Sequence, residues 1–93
     1  MKINFTKKEY RNLLDLIYLG DTVLDGALNG NVPAKYVEIR EKIYALAKEF
    51  GCEDLIEYSK EFDGYFETGY YEETSGVLEY IDKYDKQLSK GFS

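Results

Sequence analysis

The chain contains no histidine and no tryptophan, and only one cysteine, one proline and one methionine. Without histidine it lacks the commonest general base and the commonest metal ligand. A lone thiol, Cys52, permits no intramolecular disulfide and no zinc or iron–sulfur ligand set. Long apolar runs are missing as well. Asp15, Asp21 and Asp25 interrupt the most hydrophobic stretch, well short of the roughly 18–20 apolar residues that cross a bilayer. The first residues carry no apolar signal-peptide core, so the expected location is cytoplasmic. Basic residues are not clustered, which argues against direct binding to nucleic acid or to an anionic membrane, where charge neutralisation supplies most of the affinity.

What is present is a chain of 93 residues, 44% hydrophobic and 32% charged. That length suits one domain, residues 1–93, with one core. Ten of the residues are tyrosine, a side chain that buries a ring while keeping its hydroxyl near water or a partner. The net charge of −6 is unevenly spread. Residues 1–52 hold eight Lys/Arg against seven Asp/Glu, whereas residues 53–93 hold four against eleven.

Periodicity predicts an all-α domain, a small three- or four-helix bundle with a short hairpin or loop near residues 65–76. Thr6 and Glu9 form a capping-box pattern that starts a first helix, with Phe5 and Tyr10 at the staple positions. In this helix Arg11, Asp15, Tyr18, Thr22, Asp25 and Asn29 make a solvated stripe opposite Leu13, Ile17, Gly20, Leu24 and Ala27. Gly20 in that seam predicts close approach of a neighbouring helix, and Asn29-Gly30-Asn31 stops the helix. A second helix is expected over about residues 33–50, with Pro33 in its first turn and Gly51 past its end. A shorter one follows, burying Leu55, Ile56, Ser59 and Phe62 and ending at Asp63-Gly64. Thr74 or Ser75 caps a last helix that turns Val77, Leu78, Ile81, Tyr84 and Leu88 inward.

No catalytic constellation emerges, and the expectation is a protein that is not an enzyme and holds no cofactor or metal. Glu53 and Asp54 follow Cys52 directly and oppose thiolate formation, so that residue reads as a small packed side chain. Neither the stretch Asp21 to Asn31 nor the one from Asp63 has EF-hand spacing, and Gly26 and Gly30 lack the strand and lysine of a phosphate loop.

The distinctive segment is 53–73, where eight acids face one lysine and aromatics are interleaved. Glu57, Tyr58, Glu61, Tyr65, Phe66, Glu67, Tyr70, Tyr71, Glu72 and Glu73 are the candidate partner-binding residues. Tyrosine anchors are enriched at interfaces, and a ring of carboxylates steers a basic partner. The alternative for the same segment is a solvated acidic face whose aromatics seal the core.

The stretches MKINFTKKEYRNLLDLIYLGD and AKEFGCEDLIEY are similar to small helical proteins found in bacteria and their mobile elements. That resemblance implies a helical fold and carries no activity with it. In size, acidity and lack of active-site residues the chain also resembles phage-encoded inhibitors of bacterial defence systems, a likeness of type. The functional expectation is a small acidic protein-binding module, an inhibitor or adaptor acting on a basic, nucleic-acid-handling protein. The alternative is a small-ligand or nucleotide-sequestering helical oligomer, which needs Arg11, Lys35, Arg40 or Lys42 gathered in one pocket. A second copy of the chain is a further expected partner, because a domain of this size buries its core poorly.

Overall fold

The computed structural model describes residues 2–91. The domain is mostly helical, with four helices and one two-stranded antiparallel hairpin in the order α1 (Lys7–Ala27), α2 (Ala34–Tyr44), β1 (Ile56–Ser59), β2 (Gly64–Glu67), α3 (Gly69–Ser75) and α4 (Val77–Gly91).

The start of α1 follows from its local chemistry. Thr6 Oγ1 accepts from the Glu9 amide at 3.1 Å and Glu9 Oε1 accepts from the Thr6 amide at 2.9 Å, so two otherwise orphaned donors are satisfied reciprocally. Those bonds to Thr6 hold the Glu9 carboxyl below its usual range. Tyr10 is buried and stacks on Phe50, ring centroids 4.4 Å apart and nearly parallel. The helix stops where expected, with Asn29 and Gly30 both at positive φ.

The two faces of α1 differ from the periodicity reading. Tyr10 and Leu14 are its buried residues, with Ile17, Tyr18 and Leu19 packed against the core. Asp15, Tyr18 and Thr22, expected in the solvated stripe, are half-buried. Gly20 is exposed, and an added Cβ there would meet nothing within 4 Å, so the expected close helix contact is absent at that position.

Helix α2 ends at Tyr44 rather than near Phe50. A continuing helix would offer the Ile43 carbonyl to the Ala47 amide. Here that carbonyl instead accepts the Tyr10 hydroxyl at 2.6 Å and the Leu46 amide at 3.1 Å, while Ala47 bonds back to Tyr44. Tighter turns carry the chain to Gly51, whose φ of 68° reverses it. Cys52 then closes the turn by donating its amide to the Ala47 carbonyl at 2.8 Å.

The helix expected after Cys52 is replaced by the hairpin, which therefore lies earlier than residues 65–76. Leu55 and Ile56 are both buried, and the Thr68 amide and hydroxyl bond to the Leu55 and Asp54 carbonyls at 3.0 and 2.8 Å. These long-range bonds tie the end of β2 to the start of β1. In register, Ile56 faces Glu67, Glu57 faces Phe66, Tyr58 faces Tyr65 and Ser59 faces Gly64. Asp63-Gly64, read as a helix stop, closes the hairpin loop, with Asp63 at φ 47°. Thr68 caps α3 by accepting from the Tyr71 amide, and Gly76 ends it at φ 86°. Thr74 lies within α3, donating to the Tyr70 carbonyl, while Ser75 accepts the Val77 amide at the start of α4.

The core consists of Tyr10, Leu14, Tyr44, Ala47, Cys52, Leu55, Ile56, Tyr71 and Val77. Of the α4 residues expected to point inward, Val77 is buried and Ile81 half-buried, but Leu78, Tyr84 and Leu88 are exposed.

Two glycine replacements separate these packing environments. Gly20→Ala raises stability by about 1 kcal/mol, since an exposed helical glycine gains propensity without steric cost. Gly64→Ala lowers it by about 1–2 kcal/mol, because its Cβ would stand 3.1 Å from Glu41 Oε1, in a carboxylate whose two oxygens are held by Arg40 and the Tyr65 amide. Urea denaturation of both variants checks the opposite signs.

Candidate protein-docking surface

The segment 53–73 is positioned by phenol–carboxylate bonds that cross the fold. The Tyr44 hydroxyl donates to Glu67 Oε1 at 2.6 Å, joining α2 to β2. The Tyr71 hydroxyl donates to Asp15 Oδ1 at 2.7 Å, and the Tyr18 hydroxyl to Glu72 Oε2 at 2.7 Å. The last two tie α3 to α1, with the Tyr18 and Tyr71 rings 5.7 Å apart. Burial, followed by these bonds, raises the Tyr44 and Tyr71 hydroxyls far above their ordinary value and pushes Tyr18 up to about 12. Burial also pushes Tyr10 up to about 12.

A second polar link anchors the hairpin on α2. Arg40 donates from one terminal nitrogen to both oxygens of Asp21 at 3.1 Å, and from the other to Glu41 Oε1 at 3.2 Å. Glu41 Oε2 accepts the Tyr65 amide at 2.9 Å. Burial by itself would lower Arg40, but Asp21 and Glu41 outweigh it and hold the guanidinium above its usual value.

The ten expected docking residues therefore divide into two groups. Tyr71 is a core residue, 2% exposed. Glu67 and Glu72 accept from Tyr44 and Tyr18, and Tyr65 is half-buried with its ring edge-on to Tyr58. All four hold the segment in place, and for Tyr71 enclosure in the core corrects its expected role as a contact group. Glu57, Tyr58, Glu61, Phe66, Tyr70 and Glu73 are exposed. Tyr58 is partly engaged, since its hydroxyl donates to Asp63 and that bond raises its pKa.

Glu57 and Phe66 are cross-strand partners, which places both on the same face of the hairpin. Phe62 joins them from the loop, its ring edge-on to Phe66 at 5.9 Å. It is 69% exposed against 37% for Phe66. Helical spacing places Phe62 on a buried face, whereas the hairpin loop turns it outward. The signal for its position was Asp63-Gly64 between runs rich in Ile, Tyr and Phe, a hairpin pattern. Tyr70 stands apart from this pair, lining a small cleft with Lys7, Arg11, Cys52, Asp54 and Leu55.

Cys52 is fully buried and its thiol points to the Phe50 carbonyl at 3.5 Å. Burial raises its pKa, more than Lys7 and Arg11 lower it. Among the described residues no group of His, Cys, Asp or Glu is arranged to hold a metal ion, and no helix is long and apolar enough to cross a membrane. Compared with protein-family models, characterised proteins and solved structures, the chain matches none.

The raised tyrosines give a signed pH dependence. An unfolded tyrosine ionises near pH 10, whereas in the fold Tyr10 and Tyr18 stay neutral up to about 12 and Tyr44 and Tyr71 beyond it. Their stabilisation is complete below pH 10 and falls as pH rises above it, because the unfolded chain then releases protons first. Tyr44→Phe costs about 1–3 kcal/mol at neutral pH by leaving Glu67 without its buried donor, and flattens the alkaline decline. Denaturation monitored from pH 7 to 12 checks both.

Proposed function

We propose that the chain is a protein-binding module, an inhibitor or adaptor of the phage anti-defence type, that docks through the acidic aromatic hairpin on a basic, nucleic-acid-handling protein. The observation that carries this reading is the Phe62–Phe66 pair. Phe62, largely exposed, stands edge-on to the partly covered Phe66 at an anchored hairpin, beside Glu57 and near the loop acid Glu61. Neither carboxylate has a hydrogen-bond or ion-pair partner among the described residues. Exposed aromatics supply contact area at low entropic cost, and free carboxylates around them accelerate encounter with a basic surface and reject acidic ones. Occupation of a site on a nucleic-acid-handling protein by such a patch would compete with phosphates for the same cations.

The nucleotide-sequestering alternative draws no support from the arrangement of basic groups. Arg40 is taken up by Asp21 and Glu41, Lys35 lies over the Tyr36 ring, and Arg11 belongs to clefts lined by the first turns of α1.

Two sets of variants test the docking proposal without touching the core. Capture of proteins from a nuclease-treated bacterial lysate is compared for the wild type, Glu57→Lys/Glu61→Lys and Phe62→Ser/Phe66→Ser. The expected result is a basic protein retained by the wild type, weakened by salt, and lost with either double variant. Retention that ignores both would refute the hairpin as the docking surface.

A further inference from the structure

The two outer edges of the hairpin are treated differently. The Thr68 amide donates across it to the Leu55 carbonyl at 3.0 Å, and the register continues through Glu57 with Phe66 and Ser59 with Gly64. Bonded and non-bonded pairs alternate along an antiparallel ladder, so Glu57 and Ser59 turn their backbone groups to β2, whereas Ile56 and Tyr58 turn theirs away from it. The opposite strand obeys the same alternation, since the Tyr65 amide points outward and is taken by Glu41 Oε2 at 2.9 Å. Helix α2 thereby closes the outer edge of β2.

No such group meets the outer edge of β1. Among the described residues the backbone N–H and C=O of Ile56 and Tyr58 have no hydrogen-bond partner, and no helix runs along that strand. At the core end Ile56 is buried, but Tyr58 is 49% exposed. The Tyr58 ring leans back across the hairpin onto Tyr65, 5.2 Å between centroids, and its hydroxyl reaches Asp63, so the side chain does not fold over its own backbone edge. A strand edge open in this way is a template for a further strand.

The charges indicate which strand. Glu57 is exposed on the face opposite to Tyr58, and a residue added across from it lies within reach of its carboxylate. Residues 53–61 hold Glu53, Asp54, Glu57 and Glu61 against Lys60 alone. A second copy of β1 is a poor occupant, because the antiparallel register that joins Ile56 to Tyr58 of the other copy sets the two Glu57 side chains directly opposite each other. An extended segment with Lys or Arg at that place gains an opposite charge instead.

We propose that the hairpin holds its partner by strand addition: an extended basic segment pairs antiparallel with the outer edge of β1, takes up the Tyr58 N–H and C=O, and sets Lys or Arg beside Glu57. The inference rests on the docking role of the hairpin and names how the partner is bound. In that geometry the basic residues of the segment direct their amides away from β1, and the residues between them, across from Tyr58 and Ile56, make the main-chain bonds. Those bonds supply affinity and the alternate side chains supply selectivity.

The probe is a short blocked peptide of alternating arginine and valine, added to the isotope-labelled full chain and followed by NMR. The Tyr58 amide is expected to shift and to gain protection from hydrogen exchange. Methylating the valine amides should weaken binding at least roughly tenfold, methylating the arginine amides should not, and an alternating glutamate and valine peptide should not bind. Tyr58→Pro, which removes an N–H that the ladder to β2 does not use, is expected to match the valine effect, and Tyr58→Thr to stay within about threefold of the wild type. No binding up to about millimolar peptide, binding that leaves the Tyr58 amide unprotected, or indifference to which amides are methylated overturns strand addition. The docking reading is decided separately: a lysate protein lost with Phe62→Ser/Phe66→Ser but retained by Tyr58→Pro leaves the hairpin as the docking surface and overturns only this mode of pairing.

Discussion

The fold depends on a few phenolic hydroxyls that donate, inside the protein, to acceptors far away in the sequence. Tyr10 reaches the Ile43 carbonyl, Tyr44 reaches Glu67, Tyr71 reaches Asp15 and Tyr18 reaches Glu72. Nine buried hydrophobic side chains among the described residues are few for a domain, and three of them are tyrosines whose rings fill the core while their hydroxyls specify which element lies beside which. A buried hydroxyl without an acceptor, or a carboxylate without its donor, costs more than the bond itself contributes. Alternative packings of the same apolar surface are therefore disfavoured.

That constraint explains how an acidic, aromatic stretch acquires a defined shape. Glu67 and Glu72 of segment 53–73 accept from Tyr44 and Tyr18 and are structural, Asp63 accepts from Tyr58, and the ones left over are the solvated Glu53, Asp54, Glu57, Glu61 and Glu73. The Arg40–Glu41 link to the Tyr65 amide holds β2 against α2, and the loop carrying Phe62 projects from that support. The same segment supplies both core and surface, so its acidity is a mixture of internal acceptors and exposed charge rather than one uniform patch.

Among the apolar surface the architecture leaves uncovered, two places differ in character. At the hairpin the exposed rings are bordered by free acids, which favours a cationic partner. Along α4 Tyr84 and Leu88 are exposed, and Asp85 is the one charged residue of the groove they line with α1. Helix α4 draws local support from exposed Lys83–Glu79 and Lys86–Asp82 pairs at 3.2 and 2.9 Å, each worth only about 0.3–0.5 kcal/mol. Its outer turns thus rest on intrahelical bonds more than on burial.

By itself the sequence determined the helical class, the capping box at Thr6, the stop at Asn29-Gly30 and the reversal at Gly51. Each is decided by atoms within a few residues, where backbone sterics and nearby side chains dominate. Tertiary structure alone decided that α2 ends at Tyr44, that residues 56–67 pair as strands, and that Tyr71, Glu67 and Glu72 face inward while Phe62 faces out. Leu55, Ile56, Ser59 and Phe62 satisfy a helical spacing as written, and non-local bonds, from Thr68 to Leu55 and Asp54 and from Tyr65 to Glu41, select the extended form. The choice between a tyrosine at the surface and one in the core likewise rests on whether a distant acceptor meets its hydroxyl, a property of the assembled fold that no local pattern encodes.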